Sequence, residues 1–238
     1  MNKLVLIFLA LLALKSSAQK LEYQILFEGI GDNREFFSGK SKSQTILGSR
    51  GEFEIGTTLQ KHRVRAGLSH LFEFGSSIDY HQPRLILYYQ YEDELKSFHF
   101  GSFPRRDLVR FPLALLSDTL SYFRPTIEGL RAEYRWQGGW QNGFIDWTGR
   151  QNAIVREAFT VGSSGQIGGK RWFVENYFTL SHLAGHEPRV PNEHIQDNLG
   201  YVVQAGFRSN NSSGNWQGYL KGGVLGSLFR ERSVTDGF

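Results

Sequence analysis

From residue 21 onward, apolar and polar residues alternate with a period of two. In 62–74 the even positions include Val64, Ala66, Leu68, Phe72 and Phe74, and the odd ones are Arg63, Arg65, Gly67, Ser69, Leu71 and Glu73. In 127–136 Leu130, Ala132, Tyr134 and Trp136 form one set, and Gly129, Arg131, Glu133 and Arg135 the other. The same sorting sets Leu47, Phe53, Ile55 and Leu59 against Arg50, Glu52 and Glu54, and Tyr201, Val203, Ala205 and Phe207 against Gln204, Gly206 and Arg208. A helix would spread such sets around its circumference, whereas a strand gives each its own face.

Read this way, the chain holds about eleven strands, near 21–29, 44–58, 62–75, 83–92, 96–103, 126–136, 140–149, 156–164, 170–182, 199–208 and 215–229. Their connections fall into two classes that alternate. Those near 61, 93–94, 137–139, 165–169 and 210–214 are tight, and those near 30–43, 76–82, 104–125, 150–155 and 183–198 are long. An antiparallel up-and-down transmembrane β-barrel, with short turns on one side of a membrane and long loops on the other, gives that order.

Tryptophan adds to this picture. Trp136 and Trp140 flank the turn at 137–139, and Trp172 and Trp216 each follow another short turn. Indole favours the membrane–water boundary, so these residues are a candidate aromatic girdle. The first 18 residues stand apart: Lys3, an apolar run over 4–14 and the small residues Ser16, Ser17 and Ala18 spell a secretory signal peptide cleaved after Ala18. The run is too short to span the membrane as a helix. The barrel domain is then 19–238, located in a Gram-negative outer membrane, with its lipid and the barrel-assembly machinery as partners.

Composition narrows the alternatives. The chain has no cysteine, which rules out a disulfide scaffold and thiolate metal sites. Without Lys3 and Lys15 it holds 25 basic and 23 acidic residues, too balanced for a nucleic-acid partner. An odd strand number conflicts with the even count of bacterial barrels, and Arg232, Val234 and Asp236 before Phe238 make no apolar closing face, so the barrel is expected to be incomplete at its C-terminus.

The longest connection, 103–124, carries Arg105, Arg106, Arg110 and Arg124 beside the apolar run 113–116. A loop with packing residues of its own can fold inward, and these arginines are candidate pore-constriction residues favouring anionic solutes. A short helix over 107–116, broken at Pro112, is possible there. Arg63, Arg65, Glu73, Arg131, Glu133 and Arg135 are candidate lumen-facing residues. His182, His186 and His194, with Glu187 and Glu193, invite a metal reading, but Gly185, Pro188 and Pro191 argue for a polar loop instead. No metal or cofactor is expected. No nucleophile elbow and no Ser/His constellation stands out, so no catalytic residue is assigned.

At 103–134, and again at Phe144-Ile145-Asp146-Trp147-Thr148-Gly149-Arg150-Gln151, the sequence resembles uncharacterised porin-like outer-membrane proteins of the Bacteroidetes type. The run Tyr122-Phe123-Arg124-Pro125-Thr126-Ile127-Glu128-Gly129 is similar to that family's loop-to-strand return. The resemblance implies an outer-membrane barrel and supplies no solute. The expectation is a non-enzymatic, porin-like passive channel for small solutes, anionic ones included. The alternative is a secreted soluble β-sandwich that binds or hydrolyses glycans, with Leu130, Tyr134, Phe72 and Val203 buried between two sheets.

Overall fold

A computed structural model describes residues 20–35, 43–76, 82–106, 108–117, 119–169, 171–210 and 217–233. The expected signal segment and Trp216 lie outside these residues. Among them the chain forms eleven strands: β1 (Lys20–Arg34), β2 (Gln44–Leu59), β3 (His62–Glu73), β4 (Arg84–Glu92), β5 (Lys96–Pro104), β6 (Thr126–Trp136), β7 (Gly139–Gly149), β8 (Ala158–Gly168), β9 (Trp172–Leu183), β10 (His194–Asn210) and β11 (Gln217–Ser233). One short helix, α1 (Thr119–Phe123), precedes β6.

The strands follow one another in a single sheet in chain order, with β1 and β11 at its two ends. The fold is therefore all-β, antiparallel and up-and-down, as the alternation predicts. β10 begins at His194, where the sequence reading has a loop. Its early residues Gln196 and Asp197 are drawn into the sheet because they pair with Leu183 and His182 on one side and Glu231 and Arg230 on the other. The expected helix over 107–116 reduces to turns in which Leu115 and Leu116 donate to the Pro112 carbonyl, and α1 forms later. Pro112 has no N–H to continue a helix through that point.

The chain divides into two compact units at Tyr89/Gln90. In the first, burial is inverted relative to a water-soluble sheet. Arg50, Glu52, Glu54, Arg65 and Ser69 are buried, while Leu47, Phe53, Val64, Leu68 and Phe72 on the alternate positions are exposed. Buried charge is tolerated only when paired. Here Arg65 pairs with Glu22, Arg63 Nε lies 3.9 Å from the same carboxylate, and Thr58 Oγ1 donates to it at 3.2 Å. Ser69 donates to Glu52 at 3.0 Å and the Tyr88 hydroxyl to Glu54 at 3.1 Å. Glu73 is half-buried on this polar face.

The second unit has the same inversion. Ser97, His99, Arg131, Asn142, Asp146 and Ser164 are buried, and Phe100, Leu130, Trp147, Val174 and Tyr201 are exposed. Leu130 (39 %), Tyr134 (47 %) and Val203 (44 %), together with Phe72 (61 %) of the first unit, stand open, so the β-sandwich alternative is overturned. Two glycines give the polar face its close packing. The ring of Phe144 lies over Gly162 across β7–β8, and that of Phe173 over Gly206 across β9–β10.

Residues 105–125 pack on this polar face. At the base of the loop, the buried Arg105 guanidinium pairs with buried Asp146, and its Nε donates to the Arg124 carbonyl at 3.2 Å. Asp146 also accepts the Glu128 N–H at 3.0 Å. Further along, Phe111 makes edge contacts with Phe144 and Tyr177. Leu115 fills the space beside Gly200, where a Cβ would meet its Cδ2 at 2.7 Å.

Candidate functional site

On the apolar face of the second unit, a row of residues crosses five strands at the end bearing the long loops. The register pairs Trp147 with Phe159, Phe159 with His182, His182 with Asp197 and Asp197 with Arg230. Period-two geometry puts His182 on the same face as Val174, and Asp197 on the same face as Tyr201. The Trp147 and Phe159 rings stack at 5.2 Å, and Phe159 and His182 stack at 4.8 Å.

His182 Nδ1 lies 2.6 Å from Asp197 Oδ1, and Arg232 Nε lies 3.6 Å from the other carboxylate oxygen. Both side chains remain partly open, His182 at 17 % and Asp197 at 22 %. A carboxylate beside Nδ1 favours the Nδ1–H tautomer and leaves Nε2 as the proton acceptor. Stacking on Phe159 fixes the plane of the ring. An oriented imidazole of this kind is the working part of a general acid–base catalyst.

The other two histidines of the expected polar loop go elsewhere. His186 Nδ1 is 2.6 Å from Glu193 Oε1, and its N–H donates to Oε2 at 2.8 Å. Arg156 Nε reaches the same Oε1 at 3.1 Å, and its guanidinium also donates to the His194 carbonyl. The backbone N–H of His186 holds the Glu193 carboxyl below its ordinary range, with the His186 ring and Arg156 adding to the effect against the cost of desolvation. His182 is thus apart from His186 and His194, because it sits in β9 with its partner in β10.

The polar face carries a second feature, a cavity of ≈ 480 Å³ lined by Trp140, Asn142, Arg131, Glu133, Arg110 and Ser164 among others. Arg131 bridges to Glu133, donates from Nη1 to Ser97 at 3.2 Å and from Nε to the Leu108 carbonyl at 3.1 Å. Ser97 Oγ and His99 Nδ1 are 3.5 Å apart on β5.

The structure disperses the four candidate constriction arginines. Arg105 and Arg124 hold the stem of the loop, Arg124 donating to the Thr148 carbonyl at 3.1 Å. Arg106 is half-buried at the same stem, and Arg110 alone lines the cavity. Of the lumen-facing candidates, Arg131, Glu133 and Arg135 form one chain of ion pairs, with Arg135 Nε 2.5 Å from Glu133. In the girdle, Trp136 stacks on Tyr134 and exposed Trp172 contacts Phe207, both on the apolar face. Trp140 departs from expectation. It alternates with Asn142 and Phe144 on the polar face and lines the cavity, because the turn before it reverses which parity looks outward.

The family model described as "Lipid A 3'-O-deacylase-type" matches residues 14–222. The chain belongs to this family. The lipid A 3'-O-deacylase-type assignment overturns the expectation of a non-enzymatic protein, because the family is one of enzymes. Sequence reading passed over the contact between His182 and Asp197 because it is made across two strands and not within a contiguous motif. A signal was present: His182 and Asp197 break the apolar parity of their own strands. Reading 183–198 as a loop hid it.

Among solved structures, OmpT, an outer membrane protein of Vibrio cholerae in its in-vitro folded trimer form, is similar with a TM-score of 0.43 and 9 % identity, over 90 % of this chain and 79 % of that one. No curated protein matches the sequence.

Proposed function

We propose that the protein is an outer-membrane β-barrel hydrolase that removes an ester-linked acyl chain from a lipid of the lipid A class, with His182 as general base and Asp197 as its orienting partner. The observation that carries this reading is the placement of an oriented imidazole on the apolar face of a chain belonging to a deacylase-type family. A lipid substrate meets the protein from its hydrocarbon-facing side, and the exposed apolar residues of β6–β10 are suited to that contact. The row sits at the long-loop end, where an outer-membrane barrel meets the outer leaflet.

In the proposed step, His182 Nε2 takes a proton from water as the water oxygen bonds to the acyl carbon. The ester C–O bond then breaks, and the imidazolium returns the proton to the leaving alkoxide. Asp197 keeps Nδ1–H in place and balances the transient charge. Trp147 and Phe159 offer an apolar wall beside the reacting group.

The test is release of free fatty acid from lipid A-containing vesicles by the full chain refolded in detergent, read by mass spectrometry. His182→Asn and Asp197→Asn are each expected to lower the rate by about 10²–10⁴-fold. Full activity in His182→Asn would remove the assignment. Porin-like passage of small solutes is a second reading, supported by the charged polar face. Planar-bilayer conductance separates the two: stable single-channel steps without acyl release favour the channel.

A further inference from the structure

On the apolar face of β9–β11 the charged side chains gather at one end. Period two gives that face every second residue of 172–182 on β9, 195–209 on β10 and 218–232 on β11, and the three strands stay in unbroken register. Four of these positions carry a charged or imidazole group, namely His182, Asp197, Arg230 and Arg232. All four fall at the long-loop end. From Leu180, Leu199 and Leu228 to the other end of the face the side chains are uncharged.

The charges do not balance. Asp197 Oδ1 lies 2.6 Å from His182 Nδ1, and its Oδ2 lies 3.6 Å from Arg232 Nε. Arg230 stands opposite Asp197 in the register of β10 and β11, yet its exposed guanidinium has no ion pair and no hydrogen bond among the described residues. One carboxylate thus faces two guanidiniums. A fixed positive charge on a lipid-facing surface is tolerated near the membrane boundary, where an anionic headgroup can meet it. The guanidinium is a planar fork that matches two phosphate oxygens, so the anion it selects best there is a phosphate. Arg230 is two strand spacings from His182, about 10 Å, so one headgroup carrying both an ester and a phosphate can be held by the two at once.

We propose that Arg230, with Arg232 beside it, is the phosphate subsite of the lipid substrate. It holds a phosphomonoester of the headgroup while His182 and Asp197 face the acyl ester. The subsite makes the protein selective for a phosphorylated glycolipid over the same lipid without phosphate, and takes no part in the proton transfer. It rests on the hydrolysis reading for the reaction it serves, and lipid binding tests it apart from turnover.

Native mass spectrometry of the full chain in detergent measures the binding of three probes: bisphosphorylated lipid A, the same lipid A stripped of both phosphates, and inorganic phosphate. Wild type is expected to bind the phosphorylated lipid about tenfold more tightly than either of the others. Arg230→Gln is expected to lose that preference, and Arg230→Lys, which keeps the charge without the fork, to retain part of it. Arg230 is exposed on β11, so neither variant removes a buried side chain. Initial rates in mixed micelles give a second readout. Arg230→Gln should raise KM for the phosphorylated lipid about tenfold, with kcat little changed and with rates on the stripped lipid as in wild type. A wild-type chain indifferent to the phosphates, inorganic phosphate bound as tightly as the lipid, or an Arg230→Gln variant as selective as wild type would each overturn the subsite. No acyl release from either lipid, with selective binding still lost in Arg230→Gln, would instead remove the hydrolysis reading and leave the subsite standing.

Discussion

The Phe144 ring occupies the space a side chain on Gly162 would need: a Cβ there would meet Cε1 at 2.2 Å and Cζ at 2.4 Å. The two residues face each other across β7 and β8. Gly162→Ala is expected to destabilise by about 1–3 kcal/mol through overpacking. Phe144→Ala removes a buried ring and is expected to cost about 3–5 kcal/mol. The double variant should cost less than the two singles added, since the new methyl fills part of the void. Urea unfolding of the detergent-folded protein, followed by tryptophan fluorescence, measures all three.

Arg105 and Asp146 form a buried ion pair at the root of the 105–125 loop. Removing one member leaves an uncompensated charge, so Arg105→Met or Asp146→Leu alone is expected to cost about 3–5 kcal/mol. Replacing both together should cost far less. Limited proteolysis supplies a local readout, with cleavage appearing between 105 and 125 in the single variants first.

The His186–Glu193 contact gives the loop after β9 a pH dependence. The Glu193 carboxyl titrates below its ordinary value of 4.5, chiefly because the His186 N–H donates to its charged form. A depressed carboxyl stabilises the folded loop above the unfolded value, and that contribution is lost as pH falls through the folded one. The His186 amide resonance is therefore expected to titrate below pH 4.5 and to stop titrating in Glu193→Gln.

Single-tryptophan variants test which face meets lipid. Trp136 and Trp172 lie on the apolar face, and Trp140 lines the cavity on the other. In vesicles of bromine-labelled lipid, emission from the first two should be quenched strongly and that from Trp140 weakly. Equal quenching of all three would contradict the assignment of faces.

Much of the fold was legible because the period-two rule needs only residue order. The pattern at 62–74 separates Arg65 and Ser69 from Val64 and Leu68, and the fold buries the first pair and exposes the second. What alternation does not carry is the partner across the strand. Nothing local to Asp197 indicates that His182 lies opposite it, since that depends on the register of β9 and β10. The same limit applies to Arg105, whose run of neighbouring arginines suggests a shared role. Its partner Asp146 lies two strands further along the chain and takes it out of that group.

Arg156 clamps two connections into one surface. It donates to the Ala184 carbonyl at 2.6 Å and to that of His194, while Gln151 donates to the Gly185 carbonyl at 2.9 Å and Glu187 N–H to the Asn152 carbonyl at 3.1 Å. The outer contour here is written by stretches some 30 residues apart in the chain. An antibody raised against the native protein at this end would consequently read a discontinuous epitope, and would lose it on denaturing blots or against synthetic peptides from either stretch alone.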